Sequence, residues 1–412
     1  MKREDSIVHA RNGRVSKAAG LKLNGAHNGQ VERHRKYTLI TGGAGFIGSN
    51  VADRLLREGQ DVIVYDNLSR RGASTNIEWL TSNHGSHVQV EMGDIRDATR
   101  MHSLARHARE VFHFAAQVAV TTSFEDPRAD FEINVGGTLN LLEALRSQSS
   151  PPPVVFTSTN KVYGSLRDLR VRPNGTRYQP ASWSLKFGID EARQLEFHSP
   201  YACSKGAADQ YVLDYARSMG LPAVVFRMSC IYGPRQLGTE DQGWIAHFLN
   251  RAISGQPLTI YGDGKQVRDV LFITDLVDAL LLAQERMSEI VGEAFNIGGG
   301  VANTLSLLEL LAIIRKLQGI LPSINMGKWR AGDQKYYVSD IRKFRALTRW
   351  SPRVSMRQGI AELYRWLCEH GGRRDAQGAG ELPIHLVRRI TSPDQEESLG
   401  KCDEARNDER RA

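Results

Sequence analysis

The sequence predicts an α/β fold with a doubly wound parallel sheet, and three patterns lead to this prediction. Short apolar runs of four to six residues alternate with stretches of helical periodicity through the first half of the chain. A glycine-rich turn joins the first apolar run to the first amphipathic stretch. Beyond about residue 232 the alternation gives way to polar loops, which indicates a smaller C-terminal substrate domain over the carboxyl ends of the strands.

The apolar runs are the predicted strands, and they follow the chain in order: 37–41, 61–65, 88–91, 110–114, 153–158, 223–228 and 294–297. Helical spacing of apolar residues predicts helices directly after the first run and at 134–147, 199–219, 304–317 and 355–369. Loops are predicted at 233–243 and 262–269. Because parallel strands need crossover connections, this order favours a Rossmann-type sheet covered by helices on both faces.

These boundaries divide the chain into four predicted parts. Residues 37–232 form a dinucleotide-binding domain, to which 267–298 is expected to return, and 233–370 form the smaller substrate-binding domain. Residues 1–36 and 371–412 are predicted to be disordered tails, one basic and one of mixed charge. The first tail holds nine Lys and Arg against three Asp and Glu, so most of the net charge of +8 lies there. A nucleic-acid partner is therefore not expected.

Composition narrows the class of protein further. Hydrophobic residues at 41% and charged residues at 24% are ordinary for a globular protein. No apolar run approaches the ~20 residues of a membrane span, and no secretory signal is visible. The four cysteines have neither disulfide-framework nor metal-site spacing. We expect a cytoplasmic protein without a metal site or a membrane partner.

The glycine-rich turn is the first candidate binding site. Gly42, Gly45 and Gly48 follow the first strand, and a helix begins with Phe46 and Ile47. The first glycine permits a tight turn, the second lets a pyrophosphate approach the backbone, and the third permits close helix–strand packing. The free N–H groups and the dipole of the helix N-terminus favour the phosphates.

An acidic residue at the end of the second strand supports a dinucleotide. Asp66 lies 18 residues after Gly48, where a carboxylate accepts hydrogen bonds from the adenosine ribose hydroxyls and repels a 2′-phosphate. NAD is therefore favoured over NADP, although Arg70 and Arg71 lie close by. Further cofactor contacts are predicted at the ends of the second, third and fourth strands: Asn67, Asp94, Ile95, Ala115, Ala116 and Gln117.

The second site is catalytic. Tyr201 and Lys205 lie four residues apart, on one face of a predicted helix. A phenol with a pKa near 10 is a poor base at neutral pH, and a neighbouring ammonium together with a cationic nicotinamide should lower that pKa. Thr159, at the end of the fifth strand, can hold a sugar hydroxyl or ketone, and Ser158 competes for this role.

With these motifs the chain resembles the extended short-chain dehydrogenase/reductase family, which contains nucleotide-sugar epimerases and dehydratases. The resemblance covers about 37–370 and is strongest to epimerases that act at C2 of a CDP-linked hexose. Longer runs carry this closer likeness: 117–123, 130–140, 158–164, 197–211, 241–244 and 264–270.

The resemblance implies an NAD-dependent C2 epimerase that works through a transient 2-keto sugar, as a homodimer or homotetramer. Thr159, Tyr201 and Lys205 match the family's catalytic triad, and Asn134 matches a residue that supports the active-site helix beside the cofactor. Implied substrate contacts are Thr159, Asn160, Arg235, Gln242, Trp244, Arg268 and Arg330. Cys230 lies in a stretch that varies within the family.

Three other functions remain open at this point. A 4,6-dehydratase needs an acid and a base next to the triad hydroxyl, whereas Asn160 and Lys161 follow Thr159 here. A C4-epimerase uses the same residues and differs in the sugar carbon that faces the nicotinamide. A non-catalytic NAD-binding protein would have no need of the intact triad.

Overall fold

The structure is a computed structural model that describes residues 37–330 and 332–371. These residues belong to one compact unit. Most of the predicted tail at 371–412, and all of that at 1–36, lie outside the described residues. The predicted boundary between a dinucleotide-binding and a substrate-binding domain stays a prediction.

Seven parallel strands form the main sheet, which confirms the predicted fold class. In chain order they are β1 (Tyr37–Thr41), β2 (Val62–Asp66), β3 (Val88–Met92), β4 (Ala108–His113), β5 (Val154–Thr159), β8 (Ala223–Met228) and β12 (Ala294–Ile297). Their order in the sheet is β12-β8-β5-β4-β1-β2-β3. The order reverses between β1 and β4, and ligands of such sheets bind at this reversal, outside the carboxyl ends of the strands.

Helices cover both faces of the sheet. They are α1 (Phe46–Arg57), α2 (Ala73–His84), α3 (Ala98–Ala105), α4 (Val120–Glu125), α5 (Pro127–Phe131), α6 (Gly137–Arg146), α7 (Pro200–Met219), α8 (Trp244–Ile253), α9 (Ile273–Glu285), α10 (Met287–Ile290), α11 (Leu307–Gln318), α12 (Arg342–Thr348) and α13 (Met356–Gly371). Two apolar clusters fill the space between the helices and the sheet. Among the described residues no helix is long and apolar enough to cross a bilayer.

Within the part of the chain that the structure describes, eight short strands lie outside the main sheet. They are β6 (Val171–Asn174), β7 (Arg177–Pro180), β9 (Cys230–Tyr232), β10 (Leu258–Tyr261), β11 (Val267–Phe272), β13 (Thr304–Ser306), β14 (Ile324–Gly327) and β15 (Tyr336–Tyr337). β11 pairs with β9, β13 and β15. Residues 267–298 are expected from the sequence to return to the first domain. Within them, 294–297 join the main sheet, whereas 267–272 join the smaller sheet formed with β9, β13 and β15.

Several element boundaries differ from the predicted ones. Residues 267–269, predicted as loop, belong to β11, whose six residues are all buried. The helix predicted from 304 begins at Leu307, because Ser306 and Glu309 form a capping box that starts it, and 304–306 form β13. Residues 132–136 form a π-helical turn before α6. α13 extends to Gly371, the first residue of the predicted C-terminal tail.

Helix α7 is tied to the sheet by a buried ion pair. Asp209 of α7 accepts two hydrogen bonds from Arg227 of β8, both at 2.9 Å. Arg227 also donates to the Tyr163 hydroxyl at 3.3 Å, and that hydroxyl donates to Asn296 of β12 at 2.8 Å. The network fixes the helix that carries Tyr201 and Lys205 relative to the strand ends.

Candidate active site

The turn after β1 has the shape that the glycine motif predicts. Gly42 adopts φ +69°, and a Cβ there would lie 2.6 Å from the amide nitrogen of Ala115. A Cβ at Gly48 would lie 2.5 Å from the carbonyl oxygen of Gly42. Gly45 is the N-cap of α1, and no side chain caps the helix. The first N–H groups of α1, those of Phe46, Ile47 and Gly48, thus belong to an uncapped N-terminus beside the crevice.

Asp66 is the last residue of β2, and Asp94 lies two residues after the end of β3. Asp66 accepts hydrogen bonds from the backbone N–H of Ala44 at 3.1 Å and of Leu68 at 2.9 Å, which ties it to the glycine turn. Burial raises the pKa of the Asp66 carboxyl, and these two bonds oppose the change. Asn67 donates to Asp94 at 3.1 Å.

Asp94 forms an ion pair with Arg96. Both of its carboxylate oxygens accept hydrogen bonds from Arg96 at 2.9 Å, and this pairing holds the pKa of Asp94 well below its usual range. Ile95, the next residue, is buried and packs against Gly137 of α6. Both predicted cofactor contacts are thus engaged by protein, Asp94 by Arg96 and Ile95 by packing, and their contact with the cofactor stays a prediction.

A hydrogen-bond network links the end of β4 to α7. Ala115, Ala116 and Gln117 follow β4 and are partly buried. The N–H of Gln117 donates to Asn134 Oδ1 at 2.9 Å, and Asn134 Nδ2 donates to the Ser204 hydroxyl of α7 at 2.9 Å. Asn134 therefore supports the helix that carries Tyr201 and Lys205. The family resemblance implies this same role for Asn134.

Tyr201 and Thr159 face each other at the carboxyl end of β5. The Thr159 hydroxyl is a polar neighbour that lowers the pKa of the Tyr201 phenol against the effect of burial, and both residues are buried. Thr159 Oγ1 also contacts Asn160 Oδ1 at 3.4 Å and accepts from the N–H of Lys161 at 3.2 Å. The neighbouring Ser158 hydroxyl is buried without a hydrogen-bond partner among the described residues. The structure thus brings Thr159 to the phenol.

Lys205 lies one turn further along α7, and it is 4% exposed. Its Nζ lies 4.2 Å from the centroid of the Phe156 ring. Burial lowers the pKa of Lys205 to about 7, although Asp209 and Asp130 act in the opposite direction. The amine thus changes its charge near neutral pH rather than near its ordinary 10.5.

The expectation that neighbouring charge lowers the pKa of Tyr201 is not met by this chain's own residues. Burial raises the pKa of Tyr201 to about 12, and the opposing contributions come from Thr159 and Arg70. Lys205 is not among the groups that act on the phenol. The reason is the dry environment, which disfavours the phenolate more than these polar neighbours stabilise it.

A second group of polar residues lies beyond Thr159. Arg268 of β11 is 9% exposed and forms an ion pair with Asp333 at 2.6 Å. Burial lowers the pKa of Lys161, and nearby Arg268 lowers it further. Cys230 lies in the same group, where a hydrogen bond with Trp244 opposes the rise in thiol pKa that burial causes. Two cations and one carboxylate thus meet here, which suits an anionic ligand.

The side chains of three other predicted substrate contacts pair with protein groups outside the Arg268–Asp333 pair. Arg235 stacks on Trp79 of α2, with its guanidinium carbon 3.6 Å from the ring centroid. Gln242 accepts a hydrogen bond from Arg70. Arg330 pairs with Glu240 at 3.2 Å and covers the Tyr261 ring at 4.0 Å. Their guanidinium and amide groups are engaged by protein, and a direct role in substrate binding stays a prediction.

Sequence reasoning missed several residues of the site. Asp130 accepts a hydrogen bond from Ser204, and the buried His113 ring bridges Thr41 at 2.6 Å and Thr138 at 3.0 Å. Burial lowers the pKa of His113 to about 3, so the ring is neutral. The spacing of Asp130 and Asn134, four residues apart, could have indicated a shared helix face. His113 lies inside an apolar run and gives no such signal.

These features fit a bound NAD. The uncapped N-terminus of α1 suits a pyrophosphate, and the Asp66 carboxylate lies where a ribose would meet the end of β2. The nicotinamide end would lie beside Tyr201 and Lys205. No cluster of three metal-ligating side chains occurs within 37–330 and 332–371.

The lowered pKa of Lys205 predicts a pH-dependent stability. Between about pH 7 and 10.5 the unfolded chain binds a proton at this lysine that the folded chain does not, so stability should rise with pH through this window. Lys205→Met removes the contribution of this lysine to the pH dependence of stability. In cofactor-stripped protein, the Tm of Lys205→Met should exceed that of the wild type most at pH 7, and the gap should narrow towards pH 9.5. The exposed Lys186→Met serves as control, and a gap that does not vary with pH would contradict the burial argument.

Known proteins share this architecture. The family described as GDP-mannose 4,6 dehydratase matches residues 39–363. CDP-paratose 2-epimerase of Salmonella typhi is 48% identical over 337 residues, which cover 80% of this chain and 98% of that protein. The solved UDP-glucose 4-epimerase of Thermotoga maritima with UDP-glucose has a TM-score of 0.70 at 31% identity and covers 81% of this chain and 99% of its own.

A further solved structure contains the cofactor. UDP-glucuronic acid 4-epimerase of Bacillus cereus, in complex with UDP-glucuronic acid and NAD, has a TM-score of 0.70 at 28% identity, and it covers 81% of this chain and 99% of its own. The three relatives named are nucleotide-sugar epimerases, the two solved ones share the fold, and one of them contains NAD, which agrees with the glycine turn and Asp66 of this chain. The chain therefore belongs to the extended short-chain dehydrogenase/reductase family, as an NAD-dependent nucleotide-sugar epimerase.

Proposed function

We propose that the chain epimerises C2 of a CDP-linked hexose, in the manner of CDP-paratose to CDP-tyvelose. The observation that carries this proposal is the dry group of Thr159, Tyr201 and Lys205 at the strand ends, together with 48% identity to a CDP-paratose 2-epimerase. The preference for CDP and for C2 rests on that relative. A cytoplasmic location stays a prediction from composition.

Each catalytic residue has a separate task. Tyr201 takes the proton from the C2 hydroxyl and later returns one to the 2-keto oxygen. Thr159, a polar neighbour of the phenol, holds the same sugar oxygen in line with it. Lys205 holds the nicotinamide ribose. Its amine has a pKa of about 7, so it gains or loses a proton near neutral pH. NAD, when bound, supplies the hydride acceptor and donor for C2.

Substrate binding follows from the charges beyond Thr159. Arg268, whose guanidinium fork suits phosphate oxygens, and Lys161 attract the diphosphate. Asn160 is buried next to Thr159 and offers an amide to a sugar hydroxyl. The 2-keto sugar must present its other face before the hydride returns, and a diphosphate held at one end leaves the sugar free to turn.

The residues after Thr159 disfavour a 4,6-dehydratase. Elimination of water needs an acid and a base at the sugar, but Asn160 and Lys161 follow Thr159 here, and neither is a carboxylic acid. A C4-epimerase remains the alternative, because the same triad serves it.

Removal of one hydroxyl tests the catalytic role of Tyr201. Tyr201→Phe keeps the ring and its packing, so folding and NAD binding should survive, while turnover should fall by at least about 100-fold, the lower range for a positioned proton-transfer group. Turnover is measured by NMR of the sugar product. Tyr211→Phe, which loses an exposed hydroxyl on the same helix, should leave turnover unchanged. Undiminished turnover in Tyr201→Phe would remove the phenol from the mechanism.

A substrate panel tests the specificity. Purified protein is incubated with CDP-, GDP- and UDP-linked hexoses, and the products are followed by NMR. We expect inversion at C2 of a CDP-sugar, with much slower conversion of the UDP and GDP forms. Inversion at C4, or loss of water to a 4-keto-6-deoxy sugar, would assign the chain to one of the alternative reactions.

We propose further that the protein is a homo-oligomer. Phe124 of α4, Phe131 of α5 and Tyr211 of α7 are 55%, 56% and 44% exposed on helices that pack together. A second copy would remove these rings from water. Sedimentation velocity should give a dimer or tetramer in the wild type and a smaller species in Phe131→Asp. A wild-type monomer at micromolar concentration would contradict the proposal.

A further inference from the structure

The segment 233–243, between β9 and α8, lies against the part of the chain that surrounds the dinucleotide crevice. We call this segment the strap. Asn50 of α1 donates to the carbonyl oxygen of Pro234 at 3.2 Å. At Gly72, the N-cap of α2, an added Cβ would lie 1.7 Å from Leu237 Cδ1, so the leucine packs directly on the glycine backbone. These contacts join the strap to α1 and α2, on either side of β2.

Arg235 fixes the shape of the strap. Its φ of +74° lies in the left-handed region, which a residue with a Cβ adopts at an energetic cost. The stacking of its guanidinium on Trp79, and more distantly on Trp366 at 5.7 Å, stabilises this backbone conformation. The strap is thus held against α2 by a side chain that sequence analysis assigned to the substrate.

The last contact is made by Arg70. Its guanidinium donates a hydrogen bond to Gln242 at the far end of the strap. Arg70 lies four residues after Asp66, whose carboxylate accepts a hydrogen bond from the N–H of Ala44 in the glycine turn at 3.1 Å. It lies two residues before Gly72, on which Leu237 of the strap packs. The chain around Arg70 is therefore attached to the glycine turn on one side and to the strap on the other.

A cation held between the glycine turn and the strap lies on the side of the crevice where the uncapped N-terminus of α1 would bind the pyrophosphate. We propose that Arg70 binds the NAD pyrophosphate, and that the strap, joined to Arg70 through Gln242, closes over the cofactor and retains it between turnovers. A guanidinium pairs with two phosphate oxygens in a fixed geometry, which makes it suited to this position. The inference rests on the epimerase function, in which the cofactor ends each turnover in the state in which it began and has no need to leave.

Cofactor exchange measures this directly. Protein loaded with NAD is mixed with an excess of the fluorescent analogue 1,N6-ethenoadenine NAD, without any sugar, and the rate of exchange is recorded. Arg70→Ala should exchange about tenfold to a hundredfold faster than the wild type, because a charged donor to phosphate is lost. Gln242→Ala, which leaves the guanidinium in place, should accelerate exchange less.

The coupling of the two residues gives a second readout. If Gln242 acts through Arg70, the double variant should exchange no faster than Arg70→Ala alone. Arg71→Ala is the matched control, because Arg71 is exposed and is not among the groups that act on Asp66 or Tyr201. Its exchange rate should equal that of the wild type.

Exchange in Arg70→Ala within twofold of the wild type would overturn the proposal. If that variant does not fold, unchanged exchange in Gln242→Ala would overturn it instead. Because no sugar is present, the result does not depend on which nucleotide sugar the protein accepts. If the wild type exchanges NAD slowly but epimerises no sugar, the result contradicts the proposed function and not the proposed role of the strap.

Discussion

The ion pair between Asp209 and Arg227 is the constraint on which the site depends. The pair is almost fully buried, so removal of one partner would leave a charge in a dry interior, at a cost of about 3–5 kcal/mol. Asp209 lies one turn after Lys205 and two turns after Tyr201 on α7. Arg227 of β8 is the register partner of Ser158 in the parallel pairing of β5 with β8, so it lies beside the end of β5. The helix can therefore present the phenol to Thr159 in only one orientation.

The same dryness sets the chemistry of the site. Burial raises the pKa of Tyr201 and lowers that of Lys205, so both residues favour their neutral forms. Asp130 and Asp209 keep the lysine from losing its proton entirely, and Asn134 braces the helix through Ser204. A cationic nicotinamide bound beside the phenol would oppose the effect of burial and lower the pKa of Tyr201.

Much of this architecture could be predicted from local sequence patterns. Alternating apolar runs and helices indicated the seven-stranded sheet, and Gly42, Gly45, Gly48 and Asp66 indicated the dinucleotide crevice, because these signals depend on a few neighbouring residues. The contacts of Arg235 with Trp79 and of Arg70 with Gln242 span more than 150 residues of chain and have no local signal. The pKa of Tyr201 also depends on burial, which spacing along a helix does not reveal.

The central claim is that the C2 hydrogen leaves the sugar and returns to it as hydride, while Tyr201 moves only the hydroxyl proton. The most direct measurement is NMR of the epimerised sugar formed in D₂O. A hydride that returns from the cofactor does not exchange with solvent, so we expect the product to retain its hydrogen at C2. Deuterium at C2 would show that the carbon is deprotonated through an enol, and it would contradict the hydride mechanism.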